Sequence, residues 1–321
     1  MPTHTQFKGV SNCGDSLLSD QLETNVMSFF QWGSLGIGAF YNVTIPSTGS
    51  YGGNQHQLRV RDNPYYTKGQ LWEGFRSNWV WETGIEYDYQ PIRVSGIYIN
   101  STFYPISTTG TYSYHINYPL GQILFDTAIS PTSLVTCNYS YRHYNWSTSD
   151  VEWWRELQKD SFRVDDSHFS QYGSGIYSLF SEQRIQMPHV IVEAQLSTSR
   201  YPKEIGSSAA IVNQDIIFHI LSETRWDAKQ LHDIITYQWQ KRINVFDKNL
   251  MYSNEKFPLD EYGTPNSGAI MYTDLVKSTI EGGCGWKQLR FSEMRSNGLT
   301  SDNSAPIYYA SVKAKVEIDL P

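Results

Sequence analysis

The stretch Ser311-Val-Lys-Ala-Lys-Val-Glu-Ile-Asp-Leu320, close to the end of the chain, alternates apolar and charged side chains without a break. Its apolar set is Val312, Ala314, Val316, Ile318 and Leu320, and its charged set is Lys313, Lys315, Glu317 and Asp319. Successive side chains of a strand point to opposite faces of a sheet, so this period of two predicts one buried and one solvated face. We expect an edge-type strand that closes a mixed sheet.

The elements before this strand alternate in type. Residues 190–196 and 215–222 are short apolar runs rich in β-branched side chains, which are typical of buried strands. Residues 224–243 instead place apolar side chains three or four positions apart, as one face of a helix does. That face consists of Leu231, Ile234, Ile235, Trp239 and Ile243. The second half is therefore predicted to be an α/β domain whose mixed sheet packs against helices.

The first half begins with a helix. Leu18, Leu22 and Val26 form an apolar stripe within residues 16–32, and Gly33 is the predicted end of this helix. The glycines of GSLGIG at residues 33–38 have no strand before them and no lysine, so they predict a turn rather than a phosphate loop.

Loop and strand patterns follow this helix. Residues 47–69 are rich in Gly, Asn, Gln, Ser and Tyr and predict a long loop. Short runs between turn residues then predict the strands of an antiparallel β domain at 93–99, 111–118, 122–126 and 134–146, the last of them half-buried. A capping box at Ser149 opens the next helix. The sequence therefore predicts an α+β protein of two domains, residues 1–147 and 148–321.

The composition favours contacts with other proteins. The 321 residues carry 25 Lys plus Arg and 32 Asp plus Glu, which gives a net charge of −7. A negative chain is not drawn to nucleic acid or acidic membranes in general, and no run approaches the roughly 18 apolar residues of a membrane span. Only 18% of the residues are charged and 15% are aromatic, so uncharged polar side chains and tyrosines must cover much of the surface.

Three tryptophans lie close together in Trp72-Glu-Gly-Phe-Arg-Ser-Asn-Trp-Val-Trp-Glu82. Such crowding predicts aromatics packed in the domain's own core or acting as rigid anchors at an interface. A platform for sugars or stacked bases is the alternative, although base stacking calls for more basic residues than Arg76 alone. The loop before them is expected to order on a neighbouring subunit. The candidate subunit contacts are Arg59, Arg61, Trp72, Arg76, Trp79 and Trp81.

The residues that could carry chemistry do not form a catalytic pattern. For His219, in a predicted buried strand, a bond to a backbone group is favoured over a role as general base. Cys284 follows glycines, as some nucleophiles do, but no histidine comes after it. The Asp-Asp-Ser-His run at 165–168 lacks a second pair of metal ligands nearby. His232 and Asp233 are helical neighbours that diverge by about 100° and are expected not to pair. We expect no catalytic site, no cofactor and no metal.

Several strings across most of the chain have no chemistry of their own. They are WEGFR at 72–76, WVWE at 79–82, PIRVSGIYIN at 91–100, NYPLGQILFD at 117–126, WWRELQ at 153–158, DIIFHILSE at 215–223 and FPLDEYG at 257–263. In these strings the chain resembles virion structural proteins of long-tailed bacteriophages, including those of cyanobacteria. Its second half, with strands around a hydrophobic helix, is also similar to the small α/β fold of tail terminator and neck proteins.

This resemblance implies a structural protein of the virion, assembled in the host cytoplasm, rather than an enzyme. It implies a closed homo-oligomeric ring, of six or twelve copies, at the head-to-tail junction through which DNA passes. The implied partners are the portal adaptor and tail proteins, with no specific nucleic-acid binding and no membrane. A tail terminator, a baseplate component, an aromatic-rich carbohydrate-binding module and a hydrolase with a scattered site remain as alternatives.

Overall fold

A computed structural model describes most of the chain. The described residues are 15–46, 53–151, 153–154, 185–204, 210–246, 258–269, 271–276, 288–301 and 307–320. The structure is 17% helical and 39% strand, and its largest sheet is mixed. It is an α+β fold, as the sequence predicts. Within the described residues, no helix is long and apolar enough to cross a membrane.

The elements are numbered in chain order. The described helices are α1 (Asp15–Gly36), α2 (Arg225–Thr236) and α3 (Tyr272–Leu275), with a 3₁₀ turn at Gly110–Tyr112. The strands of the first half are β1 (Phe40–Val43), β2 (Arg59–Val60), β3 (Leu71–Glu73), β4 (Gly96–Ile99), β5 (Thr102–Pro105), β6 (Tyr114–Asn117), β7 (Gln122–Phe125), β8 (Val135–Cys137), β9 (Tyr139–Arg142) and β10 (Asn145–Thr148). Those of the second half are β11 (His189–Pro202), β12 (Ala210–Ser222), β13 (Arg242–Asn244), β14 (Gln288–Ser301) and β15 (Tyr308–Leu320).

The largest sheet has six strands in the order β10-β11-β12-β15-β14-β13. β10 runs parallel to β11, and the other neighbours are antiparallel. The predicted alternation of β15 is confirmed, because Val312, Ala314 and Val316 are fully buried while Lys313 and Lys315 are half-exposed. The predicted edge position is wrong. β15 lies between β12 and β14, and its charged face is solvated because the two helices that share the apolar core, α1 and α2, cover only the opposite face.

Helix α2 is shorter than the predicted 224–243. Thr224 caps it, since its side chain accepts a hydrogen bond from the Asp227 amide, and the helix ends at Thr236. The chain then turns through Gln240, which has a φ of 65°, and Ile243 is buried as part of β13. Periodicity could not show this end, because an apolar residue one turn further on fits a helix and a returning strand equally well.

The described strands of the first half form smaller sheets with the orders β2-β3-β7-β6, β5-β4-β8 and β1-β9. The single half-buried strand predicted at 134–146 is wrong, because the chain there divides into β8, β9 and β10, which join different sheets. Thr136, Ser140 and Arg142, expected on a solvated face, are buried. Other parts of the chain contact these side chains: the Ser140 hydroxyl accepts a hydrogen bond from the Ile92 amide at 2.6 Å, and Arg142 pairs with Glu82.

Helix α1 packs against the large sheet, on the other side of the predicted domain boundary. Its Phe30 ring stacks on Trp146 with centroids 4.8 Å apart and meets Phe218 edge-on at 5.2 Å. The boundary predicted near residue 147 lies inside β10. The division at that position stays a prediction, but the helix shares its apolar core with the later half.

The end of α1 differs from the prediction at Gly33. The helix continues to Gly36, and the left-handed residue that reverses the chain is Gly38, with a φ of 79°. Leu35 explains the extra turn, because its side chain is buried in a small cluster with Phe40 and other apolar residues.

The described part of the predicted loop at 47–69 orders on its own chain. The Leu58 amide donates to the Val135 carbonyl at 2.9 Å, and β2 pairs with β3. The described backbone of this segment is therefore hydrogen-bonded within its own chain, and its contact with a neighbouring subunit stays a prediction.

Candidate functional site

Two of the three predicted contact tryptophans belong to the interior of their own chain. Trp72 is 2% exposed and its indole N–H donates to the Gly69 carbonyl at 2.8 Å. Trp79 is 1% exposed and stacks on Tyr139, with ring centroids 4.4 Å apart. These indoles take the core role that the sequence left open, so they have almost no surface to offer to a neighbour.

The remaining predicted contact residues are spread over different environments. Arg61 pairs with Glu73 at 3.1 Å, and Arg59 is exposed on the short strand β2. The Arg76 guanidinium lies 6.0 Å from the centroid of the Tyr141 ring. Trp81 is half-buried and lines a cavity described below. The structure does not gather these residues into one patch, and their role as subunit contacts stays a prediction.

Helix α2 and the turn after it carry an aromatic row that the sequence patterns did not indicate. Trp226 is 73% exposed, Tyr237 89% and Trp239 61%. Tyr237 follows Trp226 by eleven residues and keeps helical backbone angles. The two residues therefore lie within about 20° of each other around the helix axis and about 17 Å apart along it. Trp226 lies about 140° around the helix axis from the buried Leu231. The spacing of these residues in the sequence alone therefore places Trp226 away from the buried face. Trp239 was assigned to the buried face only because the helix was extended too far.

A cavity of about 450 Å³ lies beside α1. Its lining combines the Trp32 and Trp81 rings with the carboxylates of Asp20, Glu23 and Asp150. We call this cavity the acidic groove. Glu82 and Arg142 also line it, and they form a buried ion pair with each other. Burial raises the pKa of Glu23, although a hydrogen bond from the Ser149 amide opposes that shift. Arg142 is the only basic residue among the described lining, so the groove holds more acidic than basic groups.

A second cavity, of about 360 Å³, has a more polar lining. Tyr41, Asn42, Gln55 and Arg76 contribute to it from the first half of the chain. Asp227 lines its other side and accepts a hydrogen bond from Thr224, with His143 Nε2 3.2 Å from its carboxylate. Amide, hydroxyl and charged groups thus surround an open space that an oxygen-rich ligand fits better than an apolar one.

His219 is held by side chains rather than by the expected backbone group. Its Nε2 lies 2.9 Å from the Glu193 carboxylate and its Nδ1 lies 2.7 Å from the Tyr309 hydroxyl. The Trp154 ring is tilted against the His219 ring, with the two centroids 4.8 Å apart. Both ring nitrogens therefore have partners inside the protein, and the arrangement connects β11, β12 and β15 on the sheet face opposite to the helices.

Other residues considered for chemistry have mixed outcomes. His232 Nδ1 lies 3.3 Å from the Asp233 carboxylate, which corrects the expectation that these helical neighbours stay apart. The two side chains meet although their Cβ atoms point in different directions around the helix. Cys284, the run at 165–168 and most of the helix expected after Ser149 lie outside the described residues.

Comparisons with known proteins assign no family to this chain. No group of three or more possible metal ligands occurs among the residues that the structure describes. No model of a known protein family matches the sequence, and a search of curated proteins finds no match either.

Proposed function

We propose that the chain is a structural protein of a tailed-bacteriophage virion, forming a closed ring at the head-to-tail junction through which DNA passes. The observation that carries this proposal is the exposed aromatic row of α2 and the turn after it, which consists of Trp226, Tyr237 and Trp239. Large aromatic side chains are enriched where proteins meet, because burying them there gains much apolar area. Such a row favours a chain that works as one part of an assembly.

A ring follows from the kind of contact that such a row makes. When one surface of a chain binds a different surface of the next copy, the contact repeats, and it closes into a ring if the rotation allows. The low content of charged residues supports close packing of copies, since few charges need to be desolvated at each contact. The strings that resemble phage virion proteins support a place in the virion, and the resemblance of the second half to tail terminator and neck proteins supports the head-to-tail junction.

Imaging of the purified chain tests the ring. We expect negatively stained images to show closed rings, and light scattering to give a mass of six or twelve chains. Imaging of intact particles labelled with an antibody against the chain tests the location, and we expect label at the neck. A monomer at every concentration overturns the ring. Label at the end of the tail farthest from the head overturns the neck and favours the baseplate. Label at the head-proximal end of isolated tails favours a tail terminator.

The polar cavity of about 360 Å³ supports a second candidate function, carbohydrate binding. Tyr41 is half-exposed at its edge and offers a ring face, while Gln55 contributes an amide to the lining. A glycan array tests this candidate. Binding that is lost in Tyr41→Ala and kept in Tyr65→Ala, a change at an exposed tyrosine outside the cavity, supports it. An array without binding rejects it.

A further inference from the structure

The first turn of α2 presents an aromatic side chain beside two cations. Trp226 projects into solvent, and Arg225 and Lys229 are exposed next to it. Helical geometry places both cations within about 100° of Trp226 and on the same side of it. The carboxylates closest to Arg225 and Trp226 along the chain, Glu223 and Asp227, line the polar cavity instead. We call Arg225, Trp226 and Lys229 the basic knob.

The acidic groove has complementary chemistry. Its volume of about 450 Å³ lies in the range that encloses small ligands, and a tryptophan side chain is of that class in size. Trp32 and Trp81 provide aromatic wall, and a cation beside such a ring is attracted to its face. Asp20 and Asp150 are exposed, so their carboxylates can meet basic side chains at the rim of the groove.

The knob and the groove cannot satisfy each other within one chain as it is folded. None of Arg225, Trp226 and Lys229 is among the residues that line the groove. A second copy of the chain can supply the missing half, because every copy carries both surfaces. The resulting contact joins two different surfaces and therefore repeats from copy to copy.

We propose that Trp226 of one copy inserts into the acidic groove of the next, with Arg225 and Lys229 beside the carboxylates of Asp20 and Asp150. This inference rests on the proposed ring and names the two surfaces that build it. A buried tryptophan at the centre of an interface is the kind of residue that dominates binding energy, while the charged pairs at the rim determine orientation.

Substitution at the knob is the first test. We expect Trp226→Ala to raise the chain concentration at which half of the protein is in rings by about tenfold or more, measured by light scattering or analytical ultracentrifugation. Tyr65→Ala is the control, because Tyr65 is a comparably exposed aromatic side chain that lies outside the knob, the acidic groove and the aromatic row. Far-UV circular dichroism and the thermal midpoint of both variants should equal those of the wild type.

Mixing two defective chains tests the pairing of the two surfaces. The knob variant is Trp226→Ala, and the groove variant carries Asp20→Lys together with Asp150→Lys. At a chain concentration where the wild type forms rings and Trp226→Ala no longer does, we expect neither variant to form rings alone. In a mixture, the intact knob of the groove variant binds the intact groove of the knob variant, so dimers with one copy of each form and no ring closes.

The outcomes separate this inference from the proposed ring. Rings that persist in Trp226→Ala at the wild-type concentration overturn the knob-and-groove contact and leave the ring standing. A mixture that stays monomeric, while the wild type forms rings, overturns it as well. A wild-type chain that never assembles overturns the ring and this contact together.

Discussion

Arg142 on β9 donates a hydrogen bond to the carboxylate of Glu82 in the protein interior, where 5% of one side chain and 6% of the other reach solvent. The Arg142 guanidinium also lies 3.4 Å from the Gln31 carbonyl of α1. One buried cation thus connects the β-rich first half to the helix that packs on the large sheet. A lost partner would leave an uncompensated charge where water cannot solvate it.

We expect Arg142→Met to lower the free energy of unfolding by about 3–5 kcal/mol, because it leaves Glu82 buried and unpaired. Arg61→Met is the control. Its ion pair with Glu73 is partly exposed, so that change should cost less than about 1 kcal/mol. Urea denaturation of the three proteins measures the difference. Equal losses in the two variants would show that the interior pair is better solvated than its burial indicates.

Strand β15 allows a test of register with neighbouring residues. Val316 is fully buried between β12 and β14, so Val316→Lys should prevent folding or cost several kcal/mol by burying an ammonium group. Lys315 is half-exposed and lies 3.6 Å from Glu293, so Lys315→Gln should change stability by less than about 0.5 kcal/mol. The soluble yield and the thermal midpoint report both. Similar tolerance of the two changes would contradict the assigned faces.

The buried His189 should make the free energy of unfolding depend on pH. Burial lowers the pKa of His189 to about 4, from an ordinary value of 6.5. The unfolded chain therefore takes up a proton first as the pH falls, and stability that is present above pH 6.5 is lost progressively down to about pH 4.

Over this pH range, His189 lowers the free energy of unfolding by about 3 kcal/mol in total. His189→Gln removes this group, and its amide can still bond to Ser147, whose hydroxyl lies 2.8 Å from His189 Nε2. We expect urea unfolding between pH 6.5 and pH 5 to show a smaller decline in the variant than in the wild type. Because the other histidines are common to both proteins, identical declines would mean that His189 is solvated.

We expect an acidic or neutral inner wall of the ring and no measurable binding of duplex DNA near physiological salt. The net charge of −7 per chain is multiplied around a ring, and a conduit that gripped phosphates would hold back the passing genome. Titration of duplex DNA at varied salt measures the binding, and the positions of charged side chains in an assembled ring test the wall. A lumen lined by Arg59, Arg61 or Arg76, or tight binding that weakens steeply with salt, would indicate a DNA-gripping role.

Local patterns in the sequence predicted where strands and helices form, but less well where they end. The alternation in β15 and the apolar spacing in α1 and α2 involve only residues close together in the chain. These patterns are therefore visible in the sequence itself. The ends of α1 and α2 depend on distant partners. Leu35 is held by a cluster that includes Val80, and the turn at Gln240 is held by β14, whose Phe291 carbonyl accepts from the Gln240 amide at 2.8 Å.

The candidate contact residues show the same limit. Aromatic crowding around Trp72 and Trp79 was visible in the sequence, but a tryptophan in a core and one at an interface have the same local pattern. Burial separated them, and the exposure of Trp239 became recognisable only when the helix ended at Thr236.

The sequence by itself determined the α+β class, the amphipathic faces of the main elements and the net negative charge, because these follow from residue types and short-range periodicity. Only the tertiary structure decided that β15 is central, that α1 shares the core of the second half, and that Arg142 pairs with Glu82 in the interior. These features join residues far apart in the chain. The free energy of such contacts depends on which surfaces meet, and a local pattern does not specify its partner.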